Sequence, residues 1–123
     1  RRQRQMCIRD RYIEQGERKI FMEVKGVTLE EEGIVRFPDA PTERGIKHIK
    51  ELCQCIKDGY EAYIMFVIQM KDVRYFEPNK KTQEAFARAL LEAEQAGVHI
   101  LAYDCFVEPD SIFLGEPVEV QLI

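Results

Sequence analysis

The sequence predicts an α/β fold, a mixed sheet with helices on its faces, and three observations carry that prediction. A strand-helix-strand-helix-strand order runs through the middle of the chain, which implies right-handed crossovers and parallel pairing. The run Tyr63-Ile64-Met65-Phe66-Val67-Ile68 is continuously apolar, as in a central strand covered on both faces. A hairpin pattern precedes the first helix. With 123 residues the chain has room for one domain.

Taken in order, residues 12–14 and 19–27 read as two strands around a Gln15-Gly16-Glu17 turn. Residues 29–41 read as a loop with an acidic start, Glu30-Glu31-Glu32-Gly33, and prolines at 38 and 41. Thr42 is the expected N-cap of a helix to about Lys57, closed by Gly59. Its apolar stripe is Ile46, Ile49, Leu52, Cys53 and Ile56, which leaves Lys47, His48, Lys50 and Glu51 on or beside the polar face. After the apolar strand and a polar segment holding Pro78, Asn79 or Thr82 caps a second helix that stops at Gly97. Residues 98–103 form the next strand, and residues 112–114 and 118–122 finish the chain as a meander around Gly115-Glu116-Pro117. The predicted order is β-β-α-β-α-β-β.

Composition excludes several classes. Hydrophobic residues make up 46% and charged residues 33%, a globular balance. No apolar run approaches the roughly 18 residues of a membrane span. The net charge of −4 rules out a histone-like basic binder but not a nuclease, whose metal site needs carboxylates. The basic excess sits at the start, in Arg1, Arg2, Arg4, Arg9 and Arg11. Residues 1–11 have no initiator Met and no apolar periodicity, resemble a foreign scar, and are set aside. The domain is then expected over residues 12–123, as the C-terminal piece of a longer protein. Cysteines stand at 7, 53, 55 and 105 with no CxxC spacing, which points to reduced thiols in a cytoplasmic protein rather than a zinc site.

The most informative motif is Glu23-Val24-Lys25. Residues two apart on a strand project from one face, so Glu23 and Lys25 point together. Inside a covered sheet such a pair needs mutual pairing or a ligand. A hairpin turning at Gly16 returns Glu23 opposite residues 10–12, where Asp10 brings a second carboxylate. Two acids can hold Mg²⁺, with the lysine positioning the attacking water. The same spacing also reads as an ordinary salt-bridged strand. The second motif is Phe37-Pro38-Asp39-Ala40-Pro41-Thr42-Glu43-Arg44-Gly45, two prolines leading to a helix N-terminus. There Arg44, Lys47 and His48 are candidate phosphate contacts. The alternative is a capped surface helix with Asp39 in a turn bond.

Met22-Glu23-Val24-Lys25-Gly26-Val27-Thr28-Leu29, followed by the Pro-rich block and Lys47-His48, resembles the sugar fermentation stimulation protein A family. Residues 97–103 are similar to that family's penultimate strand, and the match spans residues 12–123. The resemblance implies a C-terminal domain of restriction-endonuclease-like, PD-(D/E)XK type. It also implies an N-terminal OB-fold domain that assists DNA contact and is expected to be missing from these residues. It further implies a DNA-binding protein linked to regulation of sugar, especially maltose, metabolism. By the same resemblance Glu23 and Lys25 fill the acid and lysine of the motif, and Asp10 falls in the register of the first acid. Arg9 and Arg11 replace that acid's aromatic neighbours. Glu23, Asp10 and the Val24 carbonyl become candidate ligands of Mg²⁺ (or Mn²⁺), and Asp39, Thr42, Glu43 and Arg44 are expected to line the same cleft.

Three functions follow from different classes: a DNA-binding protein on a nuclease-like scaffold, a Mg²⁺-dependent endonuclease using Asp10, Glu23 and Lys25, and a non-catalytic regulatory module binding protein or a small ligand. No membrane partner is expected, and oligomeric state stays open.

Overall fold

The run 63–68 is continuously apolar, yet its burial alternates in the computed structural model. Ala62, Ile64, Phe66 and Ile68 are fully buried while Tyr63, Met65 and Val67 are only partly so. The structure describes residues 11–15, 18–27, 29–38, 40–108 and 110–122. These form β1 (Arg11–Gln15), β2 (Arg18–Val27), β3 (Leu29–Glu31), β4 (Ile34–Phe37), α1 (Glu43–Lys57) and β5 (Glu61–Ile68). They continue as β6 (Tyr75–Pro78), α2 (Glu84–Ala96), β7 (His99–Glu108) and β8 (Ser111–Pro117).

The main sheet has the order β1-β2-β5-β7-β8. Its β2-β5-β7 centre is parallel, and the edge pairs β1-β2 and β7-β8 are antiparallel. The mixed α/β sheet is therefore as expected, but the helices do not divide between its faces. Residues of α1 and α2 join Ala62, Ile64, Phe66, Ile68 and Ala102 in a single core. The reason is topological. The order β2-β5-β7 steps the same way twice, and two right-handed crossovers in one direction put both helices on one side.

Segments expected as loop make a second sheet, β3-β4-β6. Glu32 and Gly33 both have positive φ, 55° and 85°, so the acidic start turns a β3-β4 hairpin of the primed type. Phe76 is fully buried and its ring stacks on Phe66 at 4.3 Å, joining the two sheets. The expected final strand 118–122 is instead an irregular tail. Phe76 exchanges backbone bonds with Glu119 and Gln121, each 2.8 Å, and Val118, Val120 and Leu122 pack on the core.

Helix α1 begins as expected, with the Thr42 hydroxyl accepting from the Gly45 amide at 2.9 Å. Helix α2 starts later than expected, with Gln83 at the N-cap. Asn79 is occupied elsewhere. Its side-chain amide donates to the Pro38 carbonyl at 3.0 Å, and its backbone amide donates to Phe37 O at 3.0 Å. These bonds clamp the Pro-rich block to the end of β6. Gly97 ends α2 at φ 113°, the left-handed conformation a glycine stop requires.

Where β7 meets β8 the register slips between Tyr103 and Cys105, and Asp104 holds the irregularity. Its Oδ1 accepts from the Glu116 amide at 2.7 Å and from Lys71 Nζ at 3.0 Å. A Cβ at Gly115 would collide with the same oxygen, so the approach needs glycine. Burial alone would push the Asp104 carboxyl up, but the Glu116 amide and the Lys71 ammonium outweigh it and hold it below the ordinary value. A depressed folded pKa contributes stability that is complete above the unfolded value and lost as pH falls through the folded one. Asp104→Asn should therefore melt lower than the parent at neutral pH and approach it as pH falls through the acidic range. Thermal melts across that range check this, and parallel curves would show that Asp104 carries no such linkage.

Candidate functional site

Strand periodicity aims Glu23 and Lys25 at the helix-covered face of the sheet, where both are buried: Glu23 is 2% exposed and Lys25 9%. Their in-register neighbours on β5 are Ile64 and Phe66, so the wall around them is apolar. Lys25 Nζ lies 3.3 Å from Glu23 Oε2. From α1, His48 reaches the same point, itself 5% exposed, with Nδ1 3.3 Å from Lys25 Nζ and 3.7 Å from Glu23 Oε1. Nδ1 accepts from an ammonium only when unprotonated, so this bond places the ring proton on Nε2.

A charge pair 3.3 Å apart gains about 5 kcal/mol at an effective dielectric near 20. Removing each ion from water costs several kcal/mol, so the pair about breaks even. An apolar pair would fill the same space at no such cost. The cluster joins a carboxylate that can hold a cation, an ammonium that can polarise a water or phosphate, and an imidazole that orients the ammonium. Among the described residues no three His, Cys, Asp or Glu side chains converge as a complete metal-ligand set.

His48 departs from its expected place on the polar face of α1. The buried positions are Gly45, His48, Ile49 and Leu52, whereas Ile46, Cys53 and Ile56 are only partly buried. The helix is thus rolled by roughly 50° from the stripe the sequence predicts, at 100° per residue. Gly45 explains the roll. A Cβ there would stand 2.8 Å from Thr42 Oγ1 and 3.3 Å from the Phe86 ring, so the glycine lets α1 seat closely on α2. The roll that buries Gly45 brings His48 in with it. The available signal was the spacing Gly45, His48, Ile49, Leu52, a helical i, i+3, i+4, i+7 set that a glycine and a histidine conceal.

The other candidates lie apart. Val24 is on the strand between the two charged residues, its side chain on the opposite face. Arg44 and Lys47 are exposed on the first turns of α1. Glu43 is exposed and, with Lys47, Lys50 and Glu51, lines a shallow groove of about 420 Å³. Thr42 serves as the helix cap. Glu51, three residues beyond His48, has a buried Oε1 with no hydrogen-bond partner among the described residues. Asp10 and Asp39 lie outside the described residues. Among the described residues no disulfide joins Cys53 to Cys105, and burial pushes both thiols up, away from thiolate chemistry. His99 is an exposed residue at the start of β7, stacked on Tyr63 at 4.6 Å.

Residues 5–111 match the family model described as the sugar fermentation stimulation protein RE domain. The chain belongs to that family. A sugar fermentation stimulation protein homolog of Desulfitobacterium hafniense is 61% identical over 114 residues, 93% of this chain and 50% of that one. The homolog of Clostridium beijerinckii is 58% identical over 113 residues, 92% of this chain and 50% of its own. The chain thus spans about half the length of the curated relatives it matches. A solved structure described as Pyrococcus furiosus SfsA in complex with Ca²⁺ superposes with TM-score 0.81 at 36% identity, over 89% of this chain and 48% of that one. The α/β fold is therefore that of the sugar fermentation stimulation proteins. The family match begins at residue 5 and includes Asp10.

The balance of charges in the cluster makes a stability prediction. Glu23→Gln strips the carboxylate from a buried ammonium and should cost about 3–5 kcal/mol. The double variant Glu23→Leu/Lys25→Met should recover most of that loss. Urea unfolding measures both, and a loss below about 1 kcal/mol for the single variant would mean that the pair behaves as a surface one.

Proposed function

We propose that this chain is the cation-binding, nuclease-like portion of a DNA-binding protein of the sugar fermentation stimulation type, acting in the cytoplasm in regulation of sugar metabolism. The observation that carries the reading is the buried Glu23–Lys25–His48 cluster on β2 and α1. A pair that adds nothing to stability, set in an apolar wall, is expected where a ligand completes it. Hard divalent cations such as Mg²⁺ (or Mn²⁺) take oxygen donors and commonly use one or two carboxylates, with water and substrate phosphates filling the rest. Glu23 supplies one carboxylate. The Val24 carbonyl and Asp10 are the further donors proposed, since Arg11, which follows Asp10, is opposite Met22, which precedes Glu23. The Ca²⁺ in the description of the Pyrococcus furiosus structure supports binding of a divalent ion.

On this reading Glu23 would help hold the cation, Lys25 would donate to a phosphate or its attacking water, and His48 Nδ1 orients the ammonium. Bound metal would supply charge neutralisation at the phosphate. Arg44 and Lys47, exposed on α1, are the proposed backbone contacts for DNA, and His48 moves from that group to the buried cluster. Two such contacts give modest affinity, because non-specific binding scales with the phosphates neutralised.

Lys25 beside Glu23 favours cleavage as a second reading. Calorimetry with Mg²⁺, Mn²⁺ and Ca²⁺ should show binding that Glu23→Gln abolishes, and unchanged binding would overturn the site. With a full-length version and either Mg²⁺ or Mn²⁺, cleavage of single- or double-stranded DNA should fall at least about a hundredfold in Lys25→Met with DNA binding retained, as for loss of a general acid-base group. Binding without cleavage in parent and variant alike leaves a DNA-binding module on a nuclease-like scaffold.

A further inference from the structure

The face of the main sheet turned away from the helices is largely apolar, with Ile20 buried at one end of it and a stretch beyond that lies outside the helix-side core. Met22 and Val24 on β2, Tyr63 and Met65 on β5, and Leu101 and Tyr103 on β7 all point to it and are all partly buried. The register makes them one patch: Met22 pairs with Tyr63, Val24 with Met65, and Met65 with Leu101. None belongs to the core or to the side chains packed against it, and both helices, the second sheet and the C-terminal tail contribute to that other core.

A parallel sheet needs both faces covered, because its crossovers ordinarily bury both. Here both crossovers lie on one side, so cover for the other must come from elsewhere. The composition fits a lasting protein contact. Methionine and tyrosine are enriched in interface cores, lysine and glutamate depleted, and the six residues carry no charge. That same lack of Lys and Arg sets the patch apart from a polyanion surface.

We propose that this face is the docking surface for the part of a full-length family chain that these 123 residues do not span. The relatives supply the occupant: they carry about as much chain again, since the matched region is 50% of the Desulfitobacterium hafniense homolog and 48% of the Pyrococcus furiosus chain. A cover carried on the same polypeptide is present at high effective concentration, which suits an apolar face that would otherwise stand open to water. The inference is independent of the cation and DNA reading, because the cluster and the patch lie on opposite faces of the sheet.

Hydroxyl-radical footprinting of this chain and of the full-length Desulfitobacterium hafniense homolog tests it at aligned positions. Side chains at 22, 63, 65, 101 and 103 should label readily in this chain and at least about tenfold more slowly in the homolog, a ratio set by burial of an apolar contact. The aligned positions of Phe113 and Leu114, half exposed on the edge strand β8, provide the internal standard. Equal labelling of the patch in both proteins would overturn the proposal. So would protection in this chain alone together with a dimer mass in sedimentation, which would make a second copy the occupant. A third contrary outcome is protection of the patch only when DNA is added.

Discussion

Two right-handed crossovers stepping in one direction, β2 to β5 and β5 to β7, decide which side of the sheet is dry. Everything else in the molecule is arranged around that asymmetry. The side holding α1 and α2 takes Phe66, Phe76, Phe86 and Leu90 out of water, each worth roughly 2 kcal/mol or more of transfer free energy. It also takes Glu23 and Lys25, because strand periodicity gives them no other direction to point. A charged pair is thereby carried into a wall of Ile64 and Phe66 by the same geometry that builds the core.

The cluster is tolerated because its members satisfy one another. Lys25 stands between Glu23 and His48, so a carboxylate and an imidazole acceptor share one ammonium. The longer 3.7 Å separation of His48 Nδ1 from Glu23 fits two acceptors facing a common donor. A site held this way is stiff: its groups come from a central strand and from a helix seated on another helix through Gly45. Stiffness of that kind is what a cation or phosphate site requires, since its cost of organisation is met during folding.

The Pro-Asp-x-Pro-Thr-Glu-Arg-Gly block shows how one segment can serve structure and site together. Phe37 packs on Phe66 and Phe86, Pro38 accepts from Asn79, Thr42 caps α1, and Gly45 sets its seat. The exposed Arg44 and Lys47 then emerge on fixed turns of the helix beside His48. Four of the segment's residues are fastenings, and the polar residues that remain exposed are presented by them.

Local pattern was enough for the parts whose physics is local. The continuous apolar run at 63–68, the Thr42 cap, the Gly97 stop and the two-residue spacing of Glu23 and Lys25 each follow from neighbours in sequence, and the family's motifs lie in those same stretches. Other features depended on contacts between distant residues. Asn79 left its expected cap because Pro38 and Phe37 claimed it, residues 118–122 joined Phe76 instead of forming a strand, and an acidic stretch became a hairpin by pairing through β4 with β6. His48 is the clearest case. A helix can be read from its sequence, but its rotation about its own axis is set by what it packs against. Only the close approach that Gly45 permits turned a histidine expected in solvent toward a buried lysine and glutamate.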